Sequence, residues 1–95
     1  MVFEWDEKKE RRNIAKHGID FETAARVFAD ENRLEFYDSA HSDEEDRYIT
    51  IGMIGNVAYV VMVVFTDRGE AIRLISARKA TKEERRLYYD YSQRN

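Results

Sequence analysis

Polar and apolar positions change their period along this chain, and the changes mark out its elements. From Glu7 to His17 the pattern is polar, with acids early and bases late, which suits the dipole of a helix. Asp6 is a good cap for that helix, and Gly18 is a natural stop, because a left-handed closing residue costs glycine little. Asp20 then caps a second helix, in which Phe21, Ala24, Ala25 and Phe28 recur at helical spacing and make an apolar stripe. Strand-like runs follow. Leu34–Tyr37 is short, Tyr48–Ile54 alternates, and Ala58–Phe65 is a continuous β-branched run that reads as a central strand. Gly55-Asn56 offers a hairpin turn between the second and third runs, and Asp67-Arg68-Gly69-Glu70 turns into a fourth, Ala71–Ala77. Thr81 with Glu84 three residues on forms a capping box for a last helix carrying Leu87, Tyr88 and Tyr91. The predicted fold is α+β: two N-terminal helices, a four-stranded antiparallel sheet and a C-terminal helix. The short connections favour a meander with the helices on one face and the other face partly open.

Composition changes this picture little. Ninety-five residues with 43% hydrophobic content fit one folded domain spanning 1–95, without internal repeats, linkers or low-complexity segments. The absence of cysteine excludes a disulfide framework and thiolate chemistry. The longest apolar run, Val57–Phe65, falls far short of the roughly 20 residues that span a bilayer. The first residues, Met1 to Asp6, lack the basic start and apolar stretch of a signal peptide, so a cytoplasmic protein without membrane association is expected.

Charge changes the picture more. The net charge is −3, unlike that of a generic polyanion binder, yet the charges are segregated. Asp30, Glu31, Glu35, Asp38, Asp43, Glu44, Glu45 and Asp46 crowd residues 30–46, whereas Arg68, Arg73, Arg78, Lys79, Lys82, Arg85 and Arg86 crowd the last third. Arg73 and Arg78 bracket an apolar strand run. An arginine in such a run points to solvent, pairs with a carboxylate or faces an anion. Strict alternation sets Arg73, Ile75 and Ala77 on one strand face, and Arg78 falls near the start of the last helix, whose free amide N–H groups also attract anions. Two guanidiniums and a helix start can converge on one phosphate; equally, Arg73 can pair across strands with a carboxylate and Arg78 can solvate a turn.

Were the bound anion an RNA phosphate, its cleavage without a metal would need a base for the 2′-hydroxyl, cations for the charge growing on phosphorus, and an acid for the 5′-oxygen. Arg73 and Arg78 suit the second task, because their planar forks match phosphate oxygens. His17 suits proton transfer, with a helix C-terminal capping role as its alternative, and Lys16 beside it suits phosphate or base-edge binding. His41, in an acidic polar loop, reads as a loop-ordering residue. Two distant histidines among scattered carboxylates match no metal-site spacing, so neither metal nor cofactor is expected. Phe3, Trp5, Phe21, Phe28 and Phe65 read as core, whereas Tyr88, Tyr89 and Tyr91 cannot all face one core at their spacing.

The chain also resembles the BrnT-type toxins of bacterial toxin–antitoxin systems. The features that carry the likeness are Phe3-Glu4-Trp5-Asp6, Asn13, Lys16-His17-Gly18, Phe21 and Ala24, then His41-Ser42, Arg47, Gly52 and Thr66-Asp67-Arg68-Gly69. They continue through Arg73 to Thr81, with Glu84 and Arg85 after it. The resemblance implies a RelE-like ribonuclease fold and a toxin that cleaves RNA and arrests translation. It also implies a cognate BrnA-like DNA-binding antitoxin and assembly into a higher-order complex. The Asp67-Arg68 turn matches an acidic–basic pair of the family, which more often has glutamate first, and it adds Asp67 to the candidate catalytic residues Arg73, Arg78, His17 and Lys16. Arg47, Arg68, Lys79 and Arg85 are candidate RNA contacts. Two other classes stay open: a non-catalytic module that binds RNA or protein through the basic face around Arg73 and Arg78, and a domain for oligomer assembly.

Overall fold

The computed structural model of the chain describes residues 1–55 and 59–92. Local signals set most element ends. The Asp6 carboxylate accepts from the Lys8 and Lys9 N–H groups and opens α1, Glu7–His17. These bonds, that from Lys9 foremost, hold its pKa below the usual carboxylate value. Gly18 closes α1 at φ 73°, its N–H returning to the Ile14 carbonyl. Asp20 caps α2, Phe21–Ala25, which tightens into a 3₁₀ turn over Arg26–Ala29. The capping box forms as expected: Thr81 N–H donates to Glu84 Oε1 at 2.8 Å, and Glu84 N–H donates to Thr81 Oγ1 at 3.1 Å. It opens α3, Lys82–Ser92.

The sheet departs from expectation. It has five strands among the described residues and is mixed rather than wholly antiparallel. Val2–Trp5 forms β1 and pairs in parallel with β5, Ala71–Lys79, placing Glu4 opposite Arg73. The remaining strands are β2, Leu34–Tyr37; β3, Tyr48–Met53; and β4, Val60–Asp67. Their order across the sheet is β1-β5-β4-β3-β2, with β4 in the middle. Four residues are too few to show a period, and a parallel partner some 70 positions away leaves no turn to read, so β1 has no local signature. Of the expected hairpin turn, Gly55 is described, while Asn56 and the expected strand start at Ala58 lie outside the described residues.

Two apolar layers sandwich the sheet. Phe21, Ala24 and Val27 pack with Val61, Val63, Phe65, Leu74 and Ala77 on one face. At Gly52 this packing is close enough that a Cβ would lie 2.9 Å from Val27 Cγ2 and from Arg33 Cβ. Tyr88 of α3 packs with Leu34, Ile51, Val60 and Met62 on the opposite face. The helices therefore do not share one face, and α3 roofs part of the face expected to be open. A hydrogen-bonded hub fixes it there. The Asp30 carboxylate accepts from Tyr88 Oη–H at 2.6 Å, Met53 N–H at 2.8 Å and Asn32 N–H at 2.9 Å. Burial pushes the Asp30 pKa up, but these bonds outweigh it and leave the group below its ordinary value. Burial and the neighbouring carboxylate push the Tyr88 phenol up.

Candidate functional site

β5 carries one irregularity, and it decides where the arginines point. Val64 pairs with Ser76 while Phe65 pairs with Leu74, so Ile75 is an extra, bulged residue. Across the bulge Met62, Val64 and Thr66 face Arg78, Ser76 and Arg73. These β4 residues alternate on one face, so Arg73, Ser76 and Arg78 share it too, although five positions separate the two arginines. Ala77 moves to the other face and joins the core with Leu74. Strict alternation would have kept it beside Arg73.

β1 ends at Trp5, so the edge of β5 beyond Leu74 needs another partner. α1 supplies it through one side chain. Asn13 is buried at 6% exposure. Its Nδ2 donates to the carbonyls of Ala77 and Ile19, both at 2.9 Å, and its Oδ1 accepts from Ala77 N–H at 3.0 Å. The amide thus makes the two bonds with Ala77 that a neighbouring strand would make. It also anchors a helix in which it is the only buried residue. Glu10 adds a second tie by accepting from Phe21 N–H at 2.9 Å.

Between α1 and β5 lies a groove of about 470 Å³. Lys9, Arg12, Asn13, Lys16 and His17 line one wall, and Ile75, Ser76, Ala77 and Arg78, with Met62, line the floor and other wall. No residue lining it is acidic among those described. Lys9, Arg12 and Lys16 stand at i, i+3 and i+7, one stripe along the helix. Charge clustering in the last third of the chain leaves Lys9 and Arg12 unnoticed; their helical spacing with Lys16 is the signal that identifies them.

The expected site residues divide. Lys16, His17 and Arg78 meet in this groove. Arg78 also makes a two-pronged ion pair with Glu84, at 2.8 and 3.1 Å. Burial pushes the Glu84 carboxyl up in pKa, but its bonds to Arg78 and Thr81 bring it below the usual value. Arg73 shares the face but does not line the groove; it pairs with Glu4, its neighbour across β1, at 2.8 Å. Asp67 is not brought to the groove. It sits at the far end of β4 opposite Ile72, six residues along β5 from Arg78, roughly 20 Å at strand rise. There its carboxylate closes the turn by accepting from Gly69 N–H at 2.9 Å.

Arg68 pairs with exposed Glu45 at 3.3 Å and, with Arg47, lines a separate hollow beside His41, Asp43 and Glu44. Lys79 lies over the Tyr59 ring, 5.1 Å from its centroid, and pairs with Val61 on the sheet face opposite Arg78. Arg85 donates to the Ala80 carbonyl at 3.0 Å. His41 bonds Asp38 at 3.0 Å and orders its own loop. Among the described residues no group of three or more His, Cys, Asp or Glu side chains is placed to hold a metal ion. No helix in the described residues is long and apolar enough to cross a membrane.

Comparison with known proteins gives one family. The model of the family described as the ribonuclease toxin BrnT of type II toxin–antitoxin systems matches residues 5–84, and this chain belongs to that family. The match takes in α1, all of β5 and the Thr81–Glu84 box. No match is found among curated proteins.

Proposed function

We propose that this BrnT-family chain cleaves RNA in the groove between α1 and β5, by attack of a 2′-hydroxyl on the adjacent phosphate. The observation that carries the reading is the convergence of Lys9, Arg12, Lys16, His17 and Arg78 on one groove lined by no described carboxylate. Cleavage forms the bond from the 2′-oxygen to phosphorus and breaks the bond from phosphorus to the 5′-oxygen. The 2′-hydroxyl gives up a proton, the 5′-oxygen gains one, and the products are a 2′,3′-cyclic phosphate and a 5′-hydroxyl. Arg78 and Lys16 offset the negative charge that builds on the phosphoryl oxygens. His17 moves one of the two protons, since imidazole exchanges protons readily near neutral pH. With several cations in the groove, the charge stabilisation needs no metal ion. Arg73 extends the cationic surface along the same face, and Arg47, Arg68 and Arg85 meet more distant phosphates. The opposite-face position of Lys79 and the turn-closing bond of Asp67 support structural roles for those two residues.

The reading extends to a RelE-like toxin that arrests translation in the cytoplasm. A BrnA-like DNA-binding antitoxin would hold it inactive in a higher-order complex. The test is incubation of the purified chain with RNA, with and without ribosomes, in excess chelator. Cleavage leaving 2′,3′-cyclic or 3′-phosphate ends is expected. RNA left intact at high protein concentration would leave only binding, and cleavage abolished by chelation would replace this route with a metal-assisted one.

A further inference from the structure

We propose that Glu84 is a positioning residue: it fixes the Arg78 guanidinium so that one side-on pair of N–H donors is left to meet a single RNA phosphate. This rests on the assignment of the groove to RNA. A guanidinium has five N–H donors. Glu84 takes two of them end-on, Nη1 to Oε1 at 2.8 Å and Nη2 to Oε2 at 3.1 Å. The second Nη1 hydrogen goes to the Lys79 carbonyl at 3.2 Å. Three donors are thus committed within the protein. The two that remain, Nε–H and the outer Nη2–H, lie parallel on one edge of the guanidinium plane. That edge matches two oxygens of one phosphate.

The carboxylate that does the fixing is itself held. Glu84 Oε1 also accepts from Thr81 N–H at 2.8 Å, and Thr81 Oγ1 accepts from Glu84 N–H at 3.1 Å. The first turn of α3 therefore aims the carboxylate, and the carboxylate aims the arginine that lines the groove. A helix cap alone needs no bidentate arginine, and an ion pair formed only for stability has no need of an arginine lining a cationic groove.

Glu84→Gln separates the two roles. Glutamine still completes a capping box. Its single amide oxygen cannot receive both Nη groups, so the fork loses its fixed angle. The expected result is a melting temperature within a few degrees of the parent and a fall in kcat of about 10–100-fold, the scale of a small misplacement of a reacting group. KM should change less. Because Glu84 acts through Arg78, Glu84→Gln combined with Arg78→Ala should cleave no more slowly than Arg78→Ala alone. Unchanged kcat in Glu84→Gln, or losses that multiply in the double variant, would overturn the inference. If Arg78→Ala itself cleaves normally, the groove reading falls and takes this inference with it. If Arg78→Ala is inactive and Glu84→Gln is normal, only this inference falls. Should Glu84→Gln not fold, the parent chain decides by nitrogen-15 NMR. Its Arg78 Nε–H signal should shift on titration with an uncleavable 2′-deoxy oligonucleotide, and a signal that stays still overturns the proposal.

Discussion

Asn13 should hold both the fold and the groove, and Asn13→Ala tests this directly. The substitution removes three hydrogen bonds, at 2.9, 2.9 and 3.0 Å, and leaves the Ala77 N–H, the Ala77 carbonyl and the Ile19 carbonyl without their partner. A buried backbone group stripped of its bond costs about 1–3 kcal/mol. Asn13 and Ala77 line the groove, so water can reach part of the vacated space and the lower end of that range applies to each group. The expected loss is about 2–4 kcal/mol, or roughly 10–30 °C in Tm for a domain of this size. Urea unfolding followed by circular dichroism measures it. Asn13→Asp sharpens the test. It keeps the shape and the oxygen that accepts from Ala77 N–H, but turns the Nδ2 donor into an oxygen facing two carbonyls. At neutral pH it should cost at least as much as alanine, and part of the loss should return once acid protonates the new carboxylate. A loss under about 1 kcal/mol for Asn13→Ala would show that α1 is held by other contacts, and that the β5 edge beyond Leu74 does not depend on the Asn13 amide.

Other expectations follow from the same geometry. Lys9→Ala, Arg12→Ala and Lys16→Ala should each weaken RNA binding and lower the slope of log K against log salt by about 0.7, as for the loss of one phosphate contact on a single strand; unchanged slopes would remove the helix stripe from the interface. Arg73→Ala should reduce cleavage far less than Arg78→Ala, for which the loss of a transition-state donor predicts about 10²–10³-fold; equal losses in rate assays would place Arg73 at the reacting phosphate. Tyr88→Phe removes the 2.6 Å bond to Asp30 and should cost about 1.5–3 kcal/mol at neutral pH. Asp30 titrates below its ordinary value of 3.8 in the folded chain, so its contribution is complete above that value and is lost as pH falls through the folded one. The gap between parent and Tyr88→Phe in unfolding experiments should therefore close below about pH 4, and a gap constant down to pH 2 would remove the hydroxyl–carboxylate bond as its cause. An antitoxin that inhibits by occlusion should protect α1 and β5 in hydrogen exchange; protection confined to residues 30–46 would refute occlusion.

What could be read from the sequence is what local chemistry controls. Asp6, Gly18, Asp20 and the Thr81–Glu84 box act within one turn of themselves, and each caps the helix it was expected to cap or end. The apolar run of β4 reads as central because a strand flanked on both sides is apolar on both faces, as Val60 to Val63 are. The misreadings arise where distant parts of the chain meet. β1 is specified by a partner at Ala71–Leu74 and not by its own four residues. The α3 side of the sheet depends on Asp30, 58 positions away from Tyr88. That Arg73 shares a face with Arg78 depends on a bulge at Ile75, which no residue type announces. The alternative in which Arg73 pairs across strands describes its contact with Glu4, but the strand involved is one that periodicity does not reveal.

The bulge and Asn13 together explain how an acidic chain presents a cationic groove. Without the extra residue at Ile75, Arg73 would project from the face opposite Ser76 and Arg78. Without the amide on Ala77, a helix with almost no apolar face would have little to hold it beside β5, because burial of Asn13 replaces the hydrophobic stripe that usually docks a helix. A helix tied down by Asn13 and Glu10 instead of by an apolar stripe is free to carry charge around the rest of its circumference. Lys9, Arg12 and Lys16 use that freedom on the side that meets Arg78. The acids of residues 30–46 are kept apart from this groove, on and around β2 at the opposite edge of the sheet from β1, so the net charge of −3 leaves the groove without an opposing carboxylate among its described lining. The charge that matters for an RNA phosphate is the local one within a Debye length of about 8 Å; Lys9, Arg12, Lys16 and Arg78 line the groove, and Glu84, paired with Arg78, offsets one of them.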